Sequence, residues 1–370
     1  MALTPNFDLR DNPLKNHIIN GNFDFWQRVA GNTTTVNTSS TQAIYTSDRI
    51  RVSSGGGSTH NYSVVRSTDV PTFAQSGFNS TYSSLYTQIT GLNAAAADWR
   101  FPFNYRMEGY DYQRLHGKMI TISFWFKASI TGIYSVGMTN SAQSRSLVTT
   151  FTVNVANTWE FKTVTVTLDT TGSWNFDSTL ALDIVIGSSS GSNYQTSTLN
   201  SWVNGDVVQS TSSVNWAGTT GATIRIAQLS LVEGASALGA TGFSRSGVSI
   251  GNELAMCQRY YEKSYGLEVV PGTSGQQDGV HVFGPGNYPN GDFYGHIRYT
   301  ARKRGGPSVT QYGYAGNVNR ISQANSGTDQ AANSGVVLFG GAGGHGVYNS
   351  SGGAVNVGAV SCHWTADAEI

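Results

Sequence analysis

Apolar and polar residues alternate with a period of two along much of this chain. The clearest case is Lys118–Ser129 (KMITISFWFKAS). There Ile120, Ile122, Phe124 and Phe126 share one face, while Thr121, Ser123, Trp125 and Lys127 share the other. Such alternation predicts a strand with one covered face. The same period runs through Ile133–Thr139, Trp159–Asp169, Ser178–Gly187 and Thr223–Gly234. Further strand signals lie at His17–Val29, Ser47–Ser54, His60–Ser67 and Ser83–Thr90. About ten strands within roughly 230 residues, with no long helix between them, predict two packed antiparallel sheets.

After Gly266 the texture changes to turn clusters (GTSGQQDG, FGPGNYPNGD, RKRGGP, FGGAGGHG) between short strands. The candidates there are Tyr294–Lys303, Ser308–Gly316, Gly335–Gly341, Ala354–Val360 and Ser361–Ile370. Between the two regions sits NELAMCQRYYEKSY (Asn252–Tyr265), which carries two signals. Ile250, Leu254, Cys257 and Tyr261 have helical spacing, whereas Gln258–Tyr265 alternates and is tyrosine-rich. A short helix passing into a strand near Cys257 reconciles them. The expected organisation is an all-β chain: an arm at 1–16, a jelly-roll-like antiparallel β-sandwich at 17–248, a junction helix and strand at 249–265, and a smaller C-terminal β-sandwich at 266–370.

Composition agrees. Charged residues make up 12% of the 370 positions, about half the usual share, and glycine, at 44 residues, is over-represented. The formal net charge is zero, so nothing global favours nucleic acid or an anionic membrane. The start, MALTPNFDLRDNPLKNHIING, has no apolar h-region of a secretory signal, and no run reaches the length of a membrane span. Cys257 and Cys362 are read as two buried free thiols.

Few motifs carry chemistry. Gly341–Gly346 fits GxGxxG, but turn and strand residues follow it where a dinucleotide site needs a helix. The histidines show no HxxxH or HxH spacing; Asp278, His281, Asp292 and His296 are close enough in sequence to converge on a metal, but nothing requires one, and no metal or other cofactor is expected. There is no GxSxG elbow. Acids such as Glu108, Asp111, Asp169, Asp177 and Asp183 could form a glycosidase pair, but in a chain so poor in charge such scattered acids read as turn formers or solubilising groups, and no enzyme is expected. Arg302, Lys303 and Arg304 form the strongest basic cluster. They read either as a contact for an acidic glycan or phosphate, or as a solvated hairpin end before Gly305-Gly306-Pro307.

Aromatic residues in polar, turn-rich stretches are the more informative feature. Sugar faces stack on flat rings while nearby Asn, Asp and Gln bond the hydroxyls. The glycan-binding candidates are Trp125, on the polar side of its strand, and Trp174, Trp202 and Trp216 in GSWNFD, LNSWVNGD and SVNWAGTT. In the second region Tyr288, Tyr312, Tyr314 and Tyr348 join them. Leu254, Cys257, Tyr260 and Tyr261 are assigned to packing at a domain or subunit interface.

HIINGNFDFWQR, SDRIRV, YRMEGYDYQRLHGKMITISFWFKAS, and LVEGASALGATGFSRSGVSIGNELAMCQRYYEKSY resemble tail-fibre and related appendage proteins of tailed bacteriophages. IRYTARKRGGPSVTQYGYAGNVNRI and the terminal HWTADAEI resemble the C-terminal β domain of such proteins. Through NGNFDFW and SFWFKAS the sandwich region also resembles jelly-roll carbohydrate-binding modules. The resemblance implies a virion surface protein, made in the bacterial cytoplasm, homotrimeric, and held to other virion proteins through the N-terminal arm. It implies a receptor-binding role toward host surface polysaccharide or lipopolysaccharide, with 266–370 as the distal tip. It supplies no catalytic residues. A purely structural head, collar or fibre protein is the alternative, and a polysaccharide depolymerase the third reading.

Overall fold

The structure, a computed structural model, describes residues 15–30, 34–37, 42–54, 61–89, 100–284, 294–324, 326–330, 336–348 and 359–370. The chain divides into two compact units. One comprises the residues up to Asp24, Thr33–Thr46 and Ile50–Ile250. The other comprises Phe25–Asn32, Ser47–Arg49 and Gly251–Ile370.

The first unit contains strands β1 (Thr34–Asn37), β2 (Gln42–Tyr45), β3 (Ile50–Ser54), β4 (Asn61–Ser67) and β5 (Ser83–Gln88). After these come β6 (Arg100–Glu108), β7 (Met119–Ala128), β8 (Gly132–Asn140), β9 (Arg145–Val153) and β10 (Glu160–Thr167). The rest are β11 (Leu180–Ser190), β12 (Gln195–Thr196), β13 (Trp202–Asn204), β14 (Gln209–Ser210) and β15 (Thr223–Glu233). Thirteen of them build a six-stranded sheet, β1-β4-β5-β15-β7-β10, and a seven-stranded sheet, β13-β9-β8-β11-β6-β3-β2, while β12 and β14 form a separate parallel pair. All the pairings within these two sheets are antiparallel. The fold is the all-β sandwich expected from the alternation. The apolar face of β7 meets aromatics of the opposing sheet, with Phe124 and Phe126 edge-on to Phe151 at 5.1 and 5.0 Å. Phe126 also packs on Tyr134 at 5.2 Å. Edge-to-face pairs of this kind add to the area term that dominates such cores.

Three features differ from the simple pattern. The polar face of β7 is also covered, because Trp125 packs with Trp159, Ala227, Phe161 and Ala240. β11 is buried along its whole length, as befits an interior strand. His17–Val29, expected as a strand, is a chain of turns, with Asn20 and Phe23 at positive φ. It is instead held irregularly beside β15: His17 N–H donates to Leu231 O, and Leu229 N–H donates to Gly21 O. A Cβ on Gly21 would lie 2.0 Å from Leu229 O, so only glycine allows this approach. Asn16 is buried, donates to Leu229 O and accepts from Leu231 N–H. Asn16 is therefore anchored to β15; the rest of the expected arm, up to residue 14, lies outside the described residues.

In the second unit, α-helix α1 (Ile250–Gln258) is followed by β16 (Tyr261–Lys263). The remaining strands are β17 (His281–Phe283), β18 (Tyr294–Arg298), β19 (Ser308–Tyr312), β20 (Ser322–Gln323), β21 (Val336–Gly341), β22 (Gly344–Tyr348) and β23 (Val360–Asp367). β23 is the spine: β16, β17, β19 and β20 all pair with it. A second sheet runs β18-β22-β21. Its hairpin turn, Gly341–Gly344, is the glycine-rich run that imitates a dinucleotide motif. The core holds Ile297, Tyr299, Ile321, Val347, Val360, Cys362, Trp364 and Ala366.

Two N-terminal segments are built into this second unit. The Arg28 guanidinium lies over the Tyr261 ring at 3.9 Å and pairs with Asp367 at 3.0 Å. The buried Arg49 lies over Tyr260 at 3.5 Å and pairs with Glu369. Among the described residues no helix is long and apolar enough to cross a membrane.

Candidate functional site

The threonine-valine alternation of β10 puts Val164 and Val166 inward and leaves Thr163, Thr165 and Thr167 outward. β10 is the edge of its sheet, and β13 is the edge of the opposing one. A cleft of about 400 Å³ opens between them. It is lined by Met119, Leu147, Thr165–Thr170, Asn200 and Trp202. Trp202 is placed by pairing with Leu147 on β9. Its indole Nε1 donates to Thr167 O at 2.8 Å, which ties one sheet edge to the other.

Trp174 backs this wall. It meets Trp202 at 5.6 Å with ring planes 88° apart, and it stacks on buried Tyr112 at 4.9 Å. Its own Nε1 donates to Thr171 O at 2.8 Å. Both indoles are therefore fixed before any ligand arrives, which reduces the ordering cost of binding. Phe176 and His116 complete the aromatic group, edge-on to each other at 5.1 Å.

Asp169 follows β10 at the cleft. One of its oxygens accepts from Arg145 Nε at 2.6 Å, and the other accepts from the Thr171 backbone N–H and hydroxyl at 2.9 and 2.8 Å. Burial alone would raise its pKa, but these bonds outweigh it and hold the carboxyl below its ordinary value. Arg145 also donates to Asn204 Oδ1 at 2.8 Å. Thr165 and Thr121 share a hydroxyl hydrogen bond at 2.9 Å. The cleft thus offers an aromatic wall, hydroxyls, an amide and one ionised carboxylate.

The other sequence candidates separate by burial. Trp125 is covered, as described above. Trp216 is completely buried, and its Nε1 donates to Gly187 O at 2.9 Å. Neither ring faces a ligand: a tryptophan inside a polar stretch can still turn inward where a short 3-10 turn, here Trp216–Gly218, aims it at the core. Tyr288 lies outside the described residues. Tyr312 packs edge-on to Tyr265 at 5.8 Å, and Tyr348 stacks on Tyr294 at 4.7 Å. Tyr314 lines a second cleft, of about 550 Å³, together with Gln277, Val280, Val282, Ala324, Ser326, Gly327 and Ser361.

The basic cluster is mostly structural. Lys303 is buried and is held by Glu262 and by the carbonyls of Gln258 and Ala301, so it is not available to an anionic glycan. Arg304 donates to the carbonyls of Ala368 and Glu369. Arg302 is exposed. Cys257, Tyr260 and Tyr261 are buried within the second unit, and Leu254 is half-buried there. Both cysteines are unpaired; burial pushes the Cys362 thiol up to about 12 and raises that of Cys257 as well, so neither is primed as a nucleophile.

Ser264 Oγ lies 3.0 Å from His363 Nδ1. Ser264 also accepts the Trp364 backbone N–H, and Tyr265 stacks on the imidazole at 3.9 Å. This contact extends the β16–β23 ladder. Among the described residues no group of three or more His, Cys, Asp or Glu is placed to hold a metal ion. Asp292 lies outside the described residues.

Of the residues around the cleft, the sequence singled out Trp174 and Trp202, read Asp169 as a turn former or solubilising group, and passed over Asn200, Thr165, Thr167 and Arg145. The TVTVT run was a signal for a polar strand face. What was missing was that this face ends at a sheet edge beside Trp202.

No family model matches the chain, and no curated protein matches it. Solved structures of carbohydrate-binding modules do match. One, described as "CBM4 structure and function", shares 16% identity over 59% of this chain and 99% of its own, with a TM-score of 0.27. A family 11 carbohydrate-binding module from a cellulosomal cellulase of Clostridium thermocellum shares 9% identity over 56% of this chain and 97% of its own, with a TM-score of 0.28. A third, a module solved with β-1,4-galactotriose, shares 9% identity over 60% of this chain and 99% of its own, at a TM-score of 0.27. Scores this low establish neither a common fold nor a common ligand.

Proposed function

We propose that this chain binds glycan without catalysis, through the cleft between β10 and β13, as a component of a tailed-phage appendage that engages host surface polysaccharide during adsorption. The observation that carries the binding reading is Trp202. It is a half-buried indole locked by its Nε1–H to Thr167 O and walling a cleft rimmed by Thr165, Asn200 and Asp169. Apolar sugar faces stack on such a ring, and the polar groups fix orientation. The virion setting rests on the sequence resemblance, as does assembly into a homotrimer.

The test is a glycan array of host capsule and lipopolysaccharide probed with the purified full chain and with Trp202→Ala. We expect wild-type binding and at least about a tenfold loss in the variant, the size expected for removing one central anchor. Equal binding by a folded Trp202→Ala protein removes the cleft from the account. Absence of wild-type binding to any host glycan removes the function.

A further inference from the structure

We propose that the cleft beside Trp202 takes uncharged glycans and discriminates against acidic ones, an inference that rests on the glycan-binding reading above. Among the residues lining the cleft, the one ionised side chain is Asp169, and it is an anion. Its counter-ion is already committed: Arg145 gives its Nε–H to Asp169 and an Nη1–H to Asn204. The cations flanking the β7–β10 edge are paired as well, Lys118 with Glu233 at 2.8 Å and Lys162 with Glu160 at 2.5 Å. Arg114 and His116 follow the short turn Gly109–Tyr112, and neither lines the cleft.

A uronate, sialate or phosphate entering here meets a carboxylate, and among the described residues that line the cleft there is no cation to answer it. It also sheds its own water to reach the Trp202 ring. Both effects act against an anion, because no new ion pair offsets its desolvation, and such unfavourable terms against a competitor are a common source of specificity. A neutral sugar meets only the ring, the Thr165 and Thr167 hydroxyls and the Asn200 amide.

The probes are bacterial capsular and O-polysaccharides immobilised on a surface, with each acidic member presented both native and carboxyl-reduced. Reduction leaves the backbone unchanged and removes the charge. We expect the full chain to bind neutral and carboxyl-reduced polymers with an affinity insensitive to salt, and native acidic polymers at least about tenfold more weakly, the factor for a modest like-charge contact. Asp169→Asn, which releases Arg145 from its anion, is expected to raise affinity for the native acidic polymers. Should that variant misfold, the native-versus-reduced comparison on the wild-type chain still decides.

Native acidic polymers bound as tightly as their reduced forms, or binding that falls with salt, overturns the proposal. If Trp202→Ala abolishes that acidic binding, the cleft remains the glycan site and only the charge inference fails. If Trp202→Ala changes nothing, the cleft is not the glycan site and the charge inference fails with it; if no polymer binds, the glycan-binding reading itself fails.

Discussion

Trp216 and Trp202 look alike in sequence, each a tryptophan in a polar, turn-rich stretch, yet the structure buries the first and sets the second in the wall of a cleft. Trp216→Phe tests that assignment. The indole is fully buried and its Nε1–H satisfies Gly187 O, at a bulge where β11 departs from regular pairing. Phenylalanine keeps a ring but has no donor. The stranded Gly187 carbonyl costs about 1–3 kcal/mol. The lost ring volume adds about 1 kcal/mol, well below the roughly 3–5 kcal/mol of a full Trp→Ala truncation. The sum is about 2–4 kcal/mol. At roughly 2–4 °C per kcal/mol for a domain of this size, the melting temperature of the sandwich drops by about 4–16 °C. Calorimetry on the full chain reads this directly, and glycan affinity measured well below the transition stays at the wild-type value. A variant with unchanged melting temperature that loses glycan binding would refute the reasoning, because Trp216 would then be a contact residue.

Two further outcomes follow from buried charge in the second unit. Lys303→Met leaves Glu262 buried without its cation and is expected to cost about 3–5 kcal/mol in urea unfolding, while a double replacement of Lys303 and Glu262 by apolar residues costs less. His345 is fully buried, with Nδ1 3.1 Å from the Tyr299 hydroxyl, and burial lowers its pKa from 6.5 to about 4. The folded chain thus holds this proton more weakly than the unfolded chain, so the stability His345 allows is present above pH 6.5 and is lost as pH falls toward 4. The loss amounts to about 3 kcal/mol by linkage. His345→Gln should remove that part of the acid sensitivity, seen as a wild-type-minus-variant difference in unfolding free energy that shrinks by this amount between pH 6.5 and 4. A difference that does not change with pH would show that His345 is not the group that titrates.

Much of the fold was legible in the chain because strand periodicity is local. The stripes Ile120–Phe126 and Leu180–Ile186 report a covered face through the two-residue repeat alone, and both lie in strands with those residues buried. The conflicting signals of Ile250–Lys263 were also local, a helix and then a strand, and both are present. Of the site, Trp174 and Trp202 were legible as aromatics among polar turn residues. Asp169, Asn200 and Arg145 were not, since their meaning depends on two sheet edges meeting.

Periodicity does not report what covers the second face of a strand or which distant segment completes a core. Trp125 alternates with polar residues and is buried because Trp159, Phe161 and Ala227, more than thirty positions away, cluster with it. Trp202 becomes a wall of a cleft because its N–H reaches Thr167 on the other sheet, 35 positions earlier. Lys303 reads as a surface cation beside two arginines, and only the fold brings Glu262 to it. Arg28 and Arg49 read as part of the first region, yet they close on Asp367 and Glu369, more than 300 positions on. Sequence by itself determined the all-β character, the strand faces and the helix-to-strand segment, because those follow from neighbours two to four residues apart. Tertiary structure alone decided which aromatic rings face water and which charges are already spent, because burial and pairing are set by chain that is remote in sequence and close in space.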